Sequence, residues 1–94
     1  MASKTAAEQA HHARVAALPC VLCEALGMEQ TTRTEVHHVR DGQGMQQRAS
    51  HWLVVALCSD CHQGPRGIHG DRGRMVQAKA GELDLLAWTL AALA

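Results

Sequence analysis

Apolar and polar positions divide this chain into segments of different period. Thr5 followed by Glu8 makes a capping box, and Ala-rich sequence then runs to Leu18 before Pro19 stops it. That pattern predicts a helix from about Ala6 to Ala17. Arg33-Thr-Glu-Val-His-His-Val39 is rich in Thr and Val and predicts a strand. Trp52-Leu-Val-Val-Ala-Leu57 is a continuous apolar run, which predicts a strand buried on both faces or nearly so. Glu24 to Thr32 reads as a loop or short turn, and Asp41 to Arg48 as a polar, Gly-punctuated loop suited to facing a substrate. Asp71 caps a predicted helix through about Ala80, ended by Gly81. Glu82 to Leu93 is a last helix with Leu83, Leu86, Leu90 and Leu93 at helical spacing, fit either to pack on the core or to form a dimer interface. The order predicts a small α+β domain spanning 1–94. A helix occupies 1–18, a central unit 19–70 and further helices 71–94.

Composition sharpens this picture. A chain of 94 residues buries only a modest core, and this one has no Phe or Tyr and two Trp, so the core is built from Ala, Leu, Val and Met. Such a chain gains from a structural metal. The formal net charge is +0, which removes any global basic signal for nucleic acid. The segment from Arg33 to Lys79 nevertheless holds seven Lys/Arg against four Asp/Glu, together with five of the seven His. Local positive potential of that kind can serve a phosphate backbone. No apolar core segment of a signal peptide follows Met1, and no run approaches the roughly 18 apolar residues of a membrane span. The expected setting is cytoplasmic, where paired thiols read as metal ligands before disulfides.

The thiols are Cys20-x-x-Cys23 and Cys58-x-x-Cys61, separated by 34 residues. Two such pairs are what a four-thiolate zinc site needs, and four thiolates leave no open position, so that ion is structural. The imidazoles give a second centre. His62 follows Cys61 directly, His69 lies across a Gly-Pro-Arg-Gly turn, and His37 stands near the end of the first predicted strand. Three imidazoles would leave coordination positions open for chemistry, with Mg²⁺, Mn²⁺ or Zn²⁺ as the ion. Neighbours on a strand face opposite sides, so His37 and His38 take different roles, one as ligand and one as general base. The bland alternative makes one a core histidine and the other a surface one. His51 either orients the polar loop, touches phosphate or is a satisfied structural group. His11 and His12, side by side on the first helix without a nearby Cys or acid pair, read as surface histidines. Arg40, Arg48, Arg66, Arg72 and Arg74 are candidate phosphate contacts.

The succession of strand, His-His, loop, strand and Cys-x-x-Cys-His resembles the ββα-metal fold of HNH endonucleases, in its zinc-stapled subclass. More closely, Glu-Val-His-His-Val, Trp-Leu-Val-Val-Ala-Leu-Cys and Cys-His-Gln-Gly-Pro-Arg-Gly-Ile-His-Gly resemble the phage recombination-enhancement (Ref) family of RecA-dependent nucleases. The likeness runs from about Leu18 to Leu93. It implies a small zinc-stapled ββα-metal domain and a metal-dependent DNA endonuclease that leaves a 5′ phosphate. It also implies DNA as partner, with a RecA filament as a second one. By the same likeness His38 is the general base and His37, His62 and His69 are the catalytic-metal ligands. His51 stands near the place of the Asn in the HNH name, as a candidate orienting residue. A non-catalytic zinc module for DNA or protein binding would keep the four Cys without an open second metal. A thiol oxidoreductase would want a βαβ pattern that neither Cys pair has. The sequence is compatible with a monomer or a homodimer.

Overall fold

The structure, a computed structural model, describes residues 3–41 and 49–94. Helix α1 (Ala6–Ala16) opens on the expected capping box: Thr5 Oγ1 accepts from Glu8 N at 3.1 Å, and Glu8 Oε1 accepts from Thr5 N at 2.8 Å. Helix α2 (Val21–Leu26) replaces part of the expected loop. Its N-cap is Cys20, whose sulfur accepts from Cys23 N, and it ends at Gly27 with φ 64°. Glycine reaches that left-handed conformation without strain, so the helix stop is set locally. The metal-ligand spacing and the helix start are therefore one feature, because the first thiol is itself the cap.

Strands β1 (Thr34–His38) and β2 (Val54–Cys58) pair antiparallel, with Thr34 opposite Cys58 and His38 opposite Val54. The second strand starts two residues later than the apolar run, since Trp52 and Leu53 are 47% and 38% exposed. Every residue of β2 is buried. Helix α3 (Ser59–Gln63) follows without a loop and is capped by the Cys58 sulfur, which accepts from Cys61 N at 3.4 Å. Helix α4 (Gly73–Ala78) is shorter than the expected 71–80. Arg72 and Lys79 adopt left-handed backbone at its two ends, with φ 61° and 56°, while Asp71 Oδ1 accepts from Gly73 N at 2.8 Å. Helix α5 (Glu82–Leu93) has the expected bounds, and Leu86 and Leu93 of the expected stripe pack on the core, but the inner face is turned partly away from that stripe. Leu85 and Thr89 are fully buried, whereas Leu83 and Leu90 are 55% and 46% exposed. Thr89 is inside because its hydroxyl accepts from Ala56 N on β2 at 3.3 Å and donates to Leu85 O at 2.9 Å.

One apolar cluster joins these elements, with Val15 of α1, Leu22 of α2, all of β2, Ile68, Met75 and Leu85 in it. The four Cys belong to that same cluster, so the thiols sit inside the core. Among the described residues no helix is long and apolar enough to cross a membrane.

Candidate metal and catalytic centres

Cys20, Cys23, Cys58 and Cys61 converge, with sulfurs all within 4.8 Å of one another. Cys23 Sγ lies 3.7 Å from both Cys58 Sγ and Cys61 Sγ. A tetrahedron with Zn–S bonds of about 2.3 Å has an edge of about 3.8 Å, so the spacing suits zinc and is far too long for a disulfide. Both knuckles also point a backbone N–H at the first sulfur, Cys23 N to Cys20 and Cys61 N to Cys58. Arg74 adds a charged donor, Nη1 to Cys61 Sγ at 3.2 Å. That contact turns Arg74 toward sulfur instead of toward solvent phosphate. Four thiols this close cannot all ionise unaided. A hydrogen bond from Cys61 draws Cys20 down to about 5, burial and the Cys20 charge push Cys23 up to about 12, and Cys61, holding its proton toward Cys20, is also raised. A divalent cation is what would let all four charge together.

His37, His62 and His69 form a second convergent set, with ring centroids 4.8–5.2 Å apart. The turn after α3 explains how two histidines seven positions apart become neighbours. It folds back on the helix so that Ile68 N donates to Cys61 O at 2.8 Å and His69 N to His62 O at 3.1 Å. A Cβ at Gly67 would stand 2.5 Å from Cys61 O, so the fold-back requires glycine there. His37 is buried and His69 exposed, so the set runs from core to surface.

Two carboxylates hold the imidazoles of this set. Glu82 Oε2 accepts from His37 Nε2 at 2.5 Å, and Glu35 Oε1 accepts from His62 Nδ1 at 2.8 Å. Each bond fixes a tautomer, leaving the lone pair of His37 on Nδ1 and that of His62 on Nε2. Imidazole backed by carboxylate is the usual environment of a metal ligand. Burial keeps His37 neutral, below the ordinary imidazole range, despite the Glu82 charge. Burial also opposes the charge on Glu82, but the His37 bond and the backbone N–H groups of Asp41 and Arg40 outweigh it and hold its pKa below normal. The His62 hydrogen bond lowers Glu35. Neither glutamate stood out in the sequence. Glu35 had a signal, since it lies two residues before His37 on one strand face; Glu82 had none.

His38 faces the other way, into a third set with His12 and His51. His38 Nε2 and His51 Nδ1 are 3.1 Å apart, so His51 does touch the candidate base. The expectation that His12 is a surface residue fails: it is 7% exposed, and its Nε2 donates to His51 O at 2.6 Å. Its helix position could have revealed this, because His12 shares a face with buried Val15. His11 Nε2 reaches Trp52 O at 3.0 Å, so the two adjacent histidines pin α1 to the chain leading into β2. Burial, then the neighbouring imidazoles and Lys4, hold His38 neutral below its ordinary range.

Among the arginines, Arg40 and Arg72 line a concavity with Asp41, Gly81 and Glu82, next to His37. Arg72 Nε also donates to Ile68 O, and Arg66 lies 3.7 Å from Asp71 with both side chains exposed. Arg48, with most of the Asp41–Arg48 loop, lies outside the described residues.

Four sulfurs and three imidazoles thus form two separate groups of side chains that could each hold a metal ion. The family described as recombination enhancement, RecA-dependent nuclease matches residues 4–83, and the chain belongs to it. No curated protein and no solved structure matches the chain.

Proposed function

We propose that this protein is a metal-dependent DNA endonuclease of the ββα-metal (HNH) type that works on DNA held in RecA filaments. The convergence of His37, His62 and His69, two of them backed by carboxylates, carries this reading. The family's description supplies the nuclease activity and the RecA dependence. Zinc on the four cysteines would be structural. The three imidazoles would hold a divalent metal, Mg²⁺, Mn²⁺ or Zn²⁺, whose charge would stabilise the phosphoryl oxygens and the departing 3′ oxygen. His38 takes the proton of the attacking water. That needs a lone pair on Nδ1, so Nε2 must donate to His51 Nδ1, and His51 thereby selects the reactive tautomer. Water oxygen joins phosphorus, the P–O3′ bond breaks, and the product carries a 5′ phosphate. A phosphodiester laid across the end of β1 meets the ligands from one strand face and the base from the other. Arg40, Arg66 and Arg72 contact flanking phosphates, with Arg48 as a fourth candidate.

The test is plasmid nicking with each metal, with and without RecA filaments, for the wild type and for His38→Ala. Removing a general base should cost on the order of 10²–10⁴ in rate. A folded, zinc-loaded His38→Ala protein that cuts at the parental rate would remove His38 from the mechanism. The absence of divalent-metal-stimulated nicking under every condition would leave a zinc-binding interaction module.

A further inference from the structure

The chemistry above uses His38 and His51 but gives His12 no task, although His12 is buried against both. Ring centroids in this group lie 5.2 Å (His12–His38), 5.6 Å (His12–His51) and 5.2 Å (His38–His51) apart. One ring nitrogen of each can be chosen so that all three fall within 4.8 Å of one another. We infer that His12, His38 and His51 form a further metal site, on the opposite face of β1 from His37, which takes a borderline transition metal such as Zn²⁺.

Three observations support it. His38 Nε2 and His51 Nδ1 face each other at 3.1 Å, close to the roughly 3.3 Å edge of a tetrahedron with Zn–N bonds of 2.0–2.1 Å. The second concerns His12. Lys4 Nζ lies 3.3 Å from its Nδ1, and an ammonium can only donate, so Nδ1 carries the lone pair and Nε2 the hydrogen. That hydrogen goes to His51 O, the backbone-carbonyl support that metal-bound imidazoles commonly have. Third, the lone pair is already turned toward a cation. Lys4 is exposed, so its ammonium can leave by the same side from which an ion would arrive. All three donors are imidazoles, ligands that suit zinc, copper and nickel.

Occupancy has a consequence, which rests on the nuclease reading. An ion held by His38 through Nε2 forces the ring hydrogen onto Nδ1, and His38 then has no lone pair for water. Free zinc would switch off cleavage supported by another divalent metal.

The experiment is a count of bound metal. After equilibrium dialysis against buffered free Zn²⁺, elemental analysis should give one ion for each of the three donor groups in the wild-type chain. His12→Ala and His51→Ala should each lose one ion, and His69→Ala should lose a different one, so that His12→Ala with His69→Ala loses both. Two variants guard against a folding defect in either, and retention of the four-thiolate ion reports that the fold persists. Saturation without the third ion in the wild type, or an unchanged count in both His12→Ala and His51→Ala, overturns the site. The count needs no DNA, so it stands or falls separately from the nuclease. In the nicking assay, zinc should suppress Mn²⁺-supported cleavage, and His12→Ala should need at least about tenfold more zinc for the same suppression. Equal sensitivity of the two proteins overturns the switch.

Discussion

Glu82 receives three donors at once: the His37 imidazole on one oxygen, and the backbone N–H groups of Arg40 and Asp41 on the other, at 2.9 and 2.7 Å. A carboxylate so engaged orients His37 and ties α5 to the end of β1 with the same atoms. Glu82→Ala leaves three donors without an acceptor and should cost about 2–4 kcal/mol, read as a lower urea midpoint. Its affinity for metal at His37, His62 and His69 should fall by about 10–100-fold, read by titration. A variant that keeps its metal affinity would mean that the neighbouring ligands orient His37 well enough alone. Proton binding gives a second residue-scale prediction. Burial depresses His12, His37 and His38 below the imidazole value of 6.5, so below that pH the unfolded chain binds more protons than the folded one. Stability should therefore rise with pH to a plateau above about pH 7 and fall as the pH drops below 6.5, faster once Glu35 and Glu82 begin to protonate. If His38 is the base, nicking should also fall as the pH drops below 6.5, because only the neutral ring accepts a proton. Thermal melts and initial rates from pH 5 to 8 check both, and a flat profile would contradict them.

At the scale of elements, the hairpin works by sorting. Period-two alternation sends Glu35 and His37 to one face and His38 to the other, and each face then meets a different helix partner. Glu35 and His37 meet α3 and α5 through His62 and Glu82, while His38 meets α1 through His12. The outer edge of β2 is closed by Thr89 of α5, whose hydroxyl receives Ala56 N. Thr89→Val keeps the shape but leaves that N–H unpaired in a fully buried place. It should lower stability by about 1–3 kcal/mol by chemical denaturation while leaving the zinc count intact. Loss of the four-thiolate ion from Thr89→Val would mean that the edge bond also holds the metal knuckles in register.

At the scale of the molecule, the four Cys lie in the same apolar cluster as β2, so an ion held there and the core would stabilise one unit. Removal of zinc by a strong chelator should unfold the whole chain, because structural zinc contributes on the order of 10 kcal/mol in comparable small domains. Circular dichroism during chelation would record loss of α1 and α5 together with the hairpin. Survival of that signal in a metal-free protein would show that the apolar core suffices without the ion. The same arrangement positions the three-imidazole set. Cys61 fixes one end of α3, and the next residue, His62, thereby faces His37.

The sequence by itself determined whatever depends on near neighbours. The capping box at Thr5, the two Cys-x-x-Cys turns and the opposed directions of His37 and His38 follow from local geometry, and all were legible. So was the inventory of imidazoles and thiols that could serve as ligands, since these groups declare their chemistry wherever they fall. Only the tertiary structure decided the partners. His37 meets Glu82 across 45 residues, His12 meets His51 across 39, and His62 meets Glu35 across 27. Local propensity carries no information about such pairs. They are set by how helices dock on a buried strand, and docking chose Leu85 and Thr89 as the inner face of α5 over the Leu83 and Leu90 stripe. The burial of His12 was decided in the same way, by α1 closing over the chain that leads into β2.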